Sequence, residues 1–259
     1  MVPLCHMSQE AVKMRMFSGV FSVLLVAGLA SAVPQGPTWA DETQTYRFTA
    51  SVLGVTAGKM TMAVNRKGTT YAVTGNTSSA GMGGLFRSFS VTSKVRGTEI
   101  DGQFRPERYQ STSEGERAGR GAEMVYKGGV PEILSLAAEE RPGAPVLDPA
   151  KQAGTVDPLS MTYALLRDID RDRACTLNLK VFDGHRLSHV SLGQPQPDGE
   201  GLVCTGLYRR LDGYPAEEIA ERQDFPFTIA YTPGPDGQLQ VTEIVLDSLF
   251  GVARLSRME

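Results

Sequence analysis

Three kinds of residue are scarce in this chain of 259: it has three cysteines, three histidines and one tryptophan. An excess of one charge is missing too, with 26 Lys and Arg against 29 Asp and Glu, a net of −3. Phosphate-backbone binding needs a basic surface, so the balance argues against nucleic acid as a partner. It also offers no electrostatic hold on anionic lipid. Long apolar runs are confined to Phe17–Ala30, which is shorter than the ~20 residues a helix needs to cross a bilayer. No further segment is apolar enough, so no membrane span is expected beyond residue 40.

What is present near the start has the layout of an export signal. Lys13 and Arg15 precede the apolar run, and two small-x-small sites follow, Ala30-Ser31-Ala32 and Thr38-Trp39-Ala40. Cleavage after Ala40 is expected, with Ala32 as the alternative. Met1–Lys13 is unusual ahead of such a leader, so translation is expected to start at Met14 or Met16. Cys5 has no apolar run before it and is not a lipidation site. Residues 1–40 are thus read as a cleaved signal peptide, and residues 41–259 as one β-rich domain of a periplasmic protein. Removing Lys13, Arg15 and Glu10 with the leader leaves 24 basic and 28 acidic residues, a net of −4.

The remainder alternates at period two over most of its length. Tyr46, Phe48, Ala50 and Val52 share a face, as do Met60, Met62 and Val64, and then Tyr71 and Val73; each run reads as a strand with one wet side. The pattern breaks at 78–90, where SSAGMGGLFRSFS places Met82, Leu85, Phe86 and Phe89 among small residues. Either a plug for one end of the sheet or a mobile apolar lid fits that composition. Its glycines make no dinucleotide fingerprint, because the third glycine position is Phe86. Residues 139–154 carry three prolines and little periodicity, which marks a flexible surface connection near 139–155. Asp157-Pro158 then supplies an N-cap and a first helical residue. Leu159, Tyr163, Leu166 and Ile169 make one apolar stripe, a helix of about twelve residues. One such helix beside about ten strands must bury its stripe against the sheet. The expected fold is mainly β: a strongly curved antiparallel sheet or half-open barrel with the helix on its concave face, lipoprotein-carrier-like by analogy.

With the leader gone, two cysteines remain, Cys175 and Cys204, and in an oxidising compartment two suggest one disulfide. A simple meander opposes this, since it would hold the Cα atoms beyond the ~7 Å limit. The bridge requires a register shift between 193 and 201, or a Cys175 that curls back before its strand. Two buried free thiols are the alternative. Between the cysteines, Asp183-Gly184 reads as a two-residue hairpin turn with positive φ at both positions.

At these residues the chain resembles a known family. A cysteine before a strand, the VFDG turn at 181–184 followed by His185-Arg186, the Val203-Cys204 pair and LDGYP at 211–215 resemble alphaproteobacterial members of the domain-of-unknown-function 3108 family. Upstream, YRFTASVLGVTAGKMTM (46–62), GMGGLFRSFS (81–90) and VDPLSMTYALL (156–166) follow in the family's order. The resemblance covers roughly residues 45–254. It implies an exported β-protein and brings no established activity.

Groups that carry chemistry are sparse. His185 and His189 sit on one predicted strand, about 13 Å apart at the strand's rise per residue, so no metal site is expected. No G-x-S-x-G is present. Glu139-Glu140 and Glu217-Glu218 fall in polar loops, with nothing to split their pKa values. Arg209-Arg210 could face an anionic group or lie on opposite faces of a strand. No catalytic residue and no cofactor is expected. Apolar side chains are left: Tyr46, Phe48, Met60, Met62, Tyr71, Phe225, Phe227 and Tyr231 would line the concave face, as ligand cavity or as packed core. The expected function is non-enzymatic binding in the cell envelope, of a lipid or lipoprotein acyl chain or of an envelope protein. A carboxylate-dependent hydrolase of envelope polymers and a purely structural partner-binding scaffold are the alternatives.

Overall fold

The computed structural model describes residues 42–79, 88–115, 119–137 and 142–258. The expected leader, both cleavage sites, and Met82, Leu85 and Phe86 lie outside the described residues. Seven strands come first: β1 Glu42–Val52, β2 Val55–Lys67, β3 Thr70–Ser79, β4 Phe89–Ile100, β5 Gln103–Gly115, β6 Gly121–Lys127 and β7 Val130–Leu136. Helix α1, Pro158–Leu166, follows. Then come β8 Asn178–Phe182, β9 Leu187–Asp198, β10 Gly201–Asp212, a short helix α2 Ala216–Glu221, β11 Asp224–Pro233, β12 Leu239–Ser248 and β13 Gly251–Arg257.

All thirteen strands form one antiparallel sheet, in the order β7-β6-β5-β4-β3-β2-β1-β13-β12-β11-β10-β9-β8. Two meanders, β1–β7 and β8–β13, are welded where β1 pairs β13, from Phe48 opposite Arg257 to Val52 opposite Ala253. The sheet does not close, and β7 and β8 are its edges. Residues 154–156 lace across them. Gly154 N–H donates to Gly129 O in the β6–β7 turn, Val156 N–H donates to Lys180 O, and Phe182 N–H donates to Val156 O, each at 2.9 Å. At the far end of the same gap the His185 ring nitrogen lies 3.1 Å from Ala137 O. The protein is therefore the mainly β, strongly curved and half-open architecture that strand count and spacing predicted.

Helix α1 touches β3, β4 and β5 of one meander and β8 of the other. Strands so far apart in the order meet one helix only inside a curved sheet. Asp157 caps the helix, accepting from Leu159 N and Ser160 N at 2.9 Å each. Gly75 has no side chain to hold the helix off: a Cβ there would stand 2.7 Å from Leu159 Cδ1. Tyr163 packs edge-on against Phe104 and tilted against Tyr71, with ring centroids 5.8 Å away in each case. Burying such rings contributes about 1.5–3 kcal/mol apiece.

Three local expectations are corrected. The helix has nine residues, because Ile169 leaves it to exchange backbone hydrogen bonds of 2.9 and 2.8 Å with Leu239 of β12. Glu217 and Glu218, expected in a polar loop, lie instead on helix α2, whose six residues are too few to establish a period. The β8–β9 hairpin turns through four residues, not two. Of the central pair only Gly184 takes a positive φ, while Asp183 Oδ1 accepts from His185 N at 2.8 Å and Arg186 N at 2.6 Å. That side-chain turn carries His185 off the strand.

Candidate functional site

Sequence reasoning gathered eight apolar residues on the concave face, and the structure packs most of them tightly. Tyr46, Phe48, Met62, Tyr71, Phe227 and Tyr231 are buried in the core, and Met60 packs against it half-buried. Phe225 is buried as well, lining a separate cleft with Tyr208 and Tyr214. Tyr231 alone among the eight lines the large cavity described next. Phe89, the described member of the lid group, lies at the start of β4.

The cavity measures about 890 Å³, inside the ~300–1,000 Å³ usual for small-molecule sites. It opens where the edges of the sheet fail to meet. The β4–β5 and β6–β7 turns form one side, and the 154–156 lace forms another. The end of α1 gives Ala164 and Arg167, and the segment after it gives Ile169, Arg173 and Cys175. Leu177, Leu179 and Leu192 supply apolar wall from the second meander.

Cys175 and Cys204 are bonded to each other, with Cα atoms 5.6 Å apart. Cys175 does not lie in a strand. It precedes β8 with φ +61°, a left-handed turn that an L-residue seldom takes, and so reaches the wholly buried Cys204 on β10. The bridge thus pins the cavity wall to the sheet.

The polar part of this region was missed from sequence. Glu99 points inward from β4 and is buried. Arg167 Nη1 donates to its carboxylate at 2.6 Å, and Arg66 and Arg173 each approach it to 3.4 Å. Arg167 is itself buried, its guanidinium 5.1 Å from the Phe104 ring centroid. Its Nε has no hydrogen-bond partner among the described residues. The available signal was periodic: Val95, Gly97 and Glu99 are alternate, inward positions of β4, so Glu99 is an acid on an apolar face. Neither Arg167 nor Arg173 stands out in the sequence, because both lie in a run of alternating charge, RDIDRDR at 167–173.

A second buried acid, Asp157, has no ion-pair partner among the described residues. Its carboxylate accepts from Ser160 Oγ at 2.5 Å, and that hydroxyl lies 2.8 Å from Tyr71 Oη. Burial pushes its pKa up to about 6, with the hydrogen bonds pulling the other way. Burial likewise raises the Tyr71 hydroxyl far above its ordinary range.

The remaining candidates are accounted for singly. His185 is engaged by Ala137 O, and the His189 ring lies 2.6 Å from Asn178 Oδ1. No group of three His, Cys, Asp or Glu suited to a metal occurs among the described residues. Arg209 and Arg210 take opposite faces. Arg209 grips the Asp224 carboxylate with two bonds of 2.6 Å, while Arg210 turns inward over Phe225. Asp183 and Glu218 share the cleft at Tyr214. Asp183 is committed to its own turn, and Glu218 faces Arg210 at 3.9 Å.

A crystal structure titled a beta-barrel-like protein of domain of unknown function DUF1849, from Brucella abortus, aligns with a TM-score of 0.46 at 15% identity. The alignment covers 84% of this chain and 95% of that one. No curated protein matches the sequence. Residues 45–193, running from β1 into β9, match the family described as "Protein of unknown function (DUF3108)". That is more than half of the sequence, and the order of motifs pointed the same way: the chain belongs to the DUF3108 family.

Proposed function

We propose that the protein is a non-enzymatic binding protein of the periplasm, whose chain from residue 41 acts as one domain and takes an apolar molecule into the cavity beside the disulfide. One observation carries this reading. A space of about 890 Å³ with leucine and isoleucine on its walls remains although the concavity is already filled by α1 and the aromatic core. A cavity of that size and lining is what a greasy ligand requires. The leader-like N-terminus and the single disulfide both favour export to an oxidising compartment. Native mass spectrometry of protein purified from the periplasm tests the reading. A co-purifying lipid or acyl species is expected. Repeated recovery of empty protein that also rejects added amphiphiles would overturn it.

A second reading has its own observation. At the β1–β2 and β12–β13 turns, Leu53 is 71% and Phe250 79% exposed, and Leu53 N–H donates to Val252 O. Two apolar tips therefore stand side by side, and they suit docking on an envelope protein. Crosslinking from a photoreactive group at position 250 is expected to trap one partner in intact cells; crosslinks spread over many abundant proteins would sink this reading. The hydrolase alternative has no comparable support, since both acids at the Tyr214 cleft are engaged.

A further inference from the structure

We infer that the cavity selects a single-chain amphiphile with an anionic, carboxylate head, held by Arg167 and Arg173. The inference rests on the cavity being a ligand site and adds the chemistry of what it takes. Three guanidiniums, those of Arg66, Arg167 and Arg173, surround one carboxylate, that of Glu99, within 4 Å. The cluster therefore carries two unbalanced positive charges. Two of its arginines, 167 and 173, also line the cavity. The other charged residues of the lining, Asp101 and Arg105, are exposed and opposite in sign, so they leave the excess unchanged.

Burying a cation is costly unless its donors are satisfied. Arg167 is 7% exposed and gives one terminal nitrogen to Glu99, yet its Nε is unpartnered among the described residues. Guanidinium edges take planar oxyanions in two parallel bonds. Glu99 takes a single bond from Arg167 Nη1, and a second carboxylate placed between Arg167 and Arg173 in the cavity offsets the excess charge. Away from this corner the wall turns apolar through Ile169, Leu177, Leu179 and Leu192. A charged corner continuous with a greasy wall matches a head and one chain. The volume of about 890 Å³ lies near the top of the ~300–1,000 Å³ range for such ligands.

Delipidated full-length mature protein is titrated with palmitate, with hexadecanol as the neutral ligand of equal chain length, and with a single-chain lysophosphatidate. Palmitate is expected to bind at least about tenfold more tightly than hexadecanol, the margin of a charge-assisted hydrogen bond. Arg173→Gln, at a half-exposed side chain, is expected to weaken palmitate several-fold and leave hexadecanol unchanged. Arg167→Met is expected to abolish the preference. Should that variant fail to fold, Glu99→Gln keeps the shape, removes the competing charge and is expected to tighten palmitate. Equal affinity for palmitate and hexadecanol would overturn the head-group assignment while leaving an apolar site standing. A lysophosphatidate preference of tenfold or more over palmitate would overturn the carboxylate. Binding of none of the three would overturn the ligand site itself.

Discussion

Cys175 reaches Cys204 from outside the sheet: the first is a left-handed residue ahead of β8, the second a buried position within β10, and their Cα atoms are 5.6 Å apart. The bridge closes a loop spanning 29 positions. Restricting the unfolded chain by such a loop contributes about 3.5 kcal/mol. Replacing both cysteines by alanine is therefore expected to lower the melting temperature by roughly 7–14 °C for a domain of this size. Calorimetry without reductant checks this. An unchanged melting temperature would show that the bridge does not constrain the unfolded state.

Asp157 gives the protein a pH dependence opposite to that of a salt-bridged acid. Burial raises its pKa from 3.8 to about 6, so folding favours the protonated carboxyl. The associated stability is complete below pH ~4 and is lost as pH rises through ~6. Asp157→Asn retains an oxygen for Leu159 N and Ser160 N and cannot ionise. The stability of the wild type minus that of the variant is expected to fall by about 2.5 kcal/mol between pH 4 and pH 8. Urea unfolding at several pH values measures it. A difference that stays flat, or rises with pH, would contradict the buried, unpaired carboxylate.

Glu99 and Arg167 form a pair whose halves depend on each other. Glu99→Leu leaves a buried guanidinium without its counter-ion, which is expected to cost about 3–5 kcal/mol. Arg167→Met alone is expected to cost less, because Arg66 and Arg173 remain within 3.4 Å of Glu99. The double variant should recover much of the loss, since an apolar pair in a buried site is often no worse than the ion pair. A double-mutant cycle by chemical denaturation gives the coupling; purely additive losses would mean that the pair does not interact.

The strands were legible because their alternation is clean. Met62 and Val64, and Tyr71 and Val73, face the core where period two put them. The start of α1 was legible through Asp157-Pro158, but its end was not, because Ile169 obeys a tertiary pairing with Leu239 that no local pattern encodes. The cysteine pairing was open for a similar reason: it turns on the φ of one residue, Cys175. The cavity was the least legible feature. The arginines of the cluster at its charged corner come from β2, from the end of α1 and from the segment after it, and only the fold brings them onto Glu99. Composition showed which side chains were greasy; it could not show that Tyr71 would be consumed by α1 while Leu177 and Leu192 bordered open space.

The apolar tips at the β1–β2 and β12–β13 turns yield a prediction in which fold and function separate. Leu53 and Phe250 are among the most exposed large apolar side chains described, so neither stabilises the core appreciably. Asp introduced at such surface positions ordinarily changes stability by no more than ~0.5 kcal/mol. Leu53 also sits in a turn with φ +51°, where aspartate is better tolerated than leucine. Leu53→Asp with Phe250→Asp is therefore expected to keep the melting temperature within ~4 °C and the affinity for a cavity ligand unchanged, while sharply reducing retention on a hydrophobic column. If the tips serve docking, the double variant also fails to complement a deletion strain although it binds ligand normally. A stable, fully complementing variant would confine function to the cavity, and a variant that lost ligand would mean that the tips and the cavity act as one site.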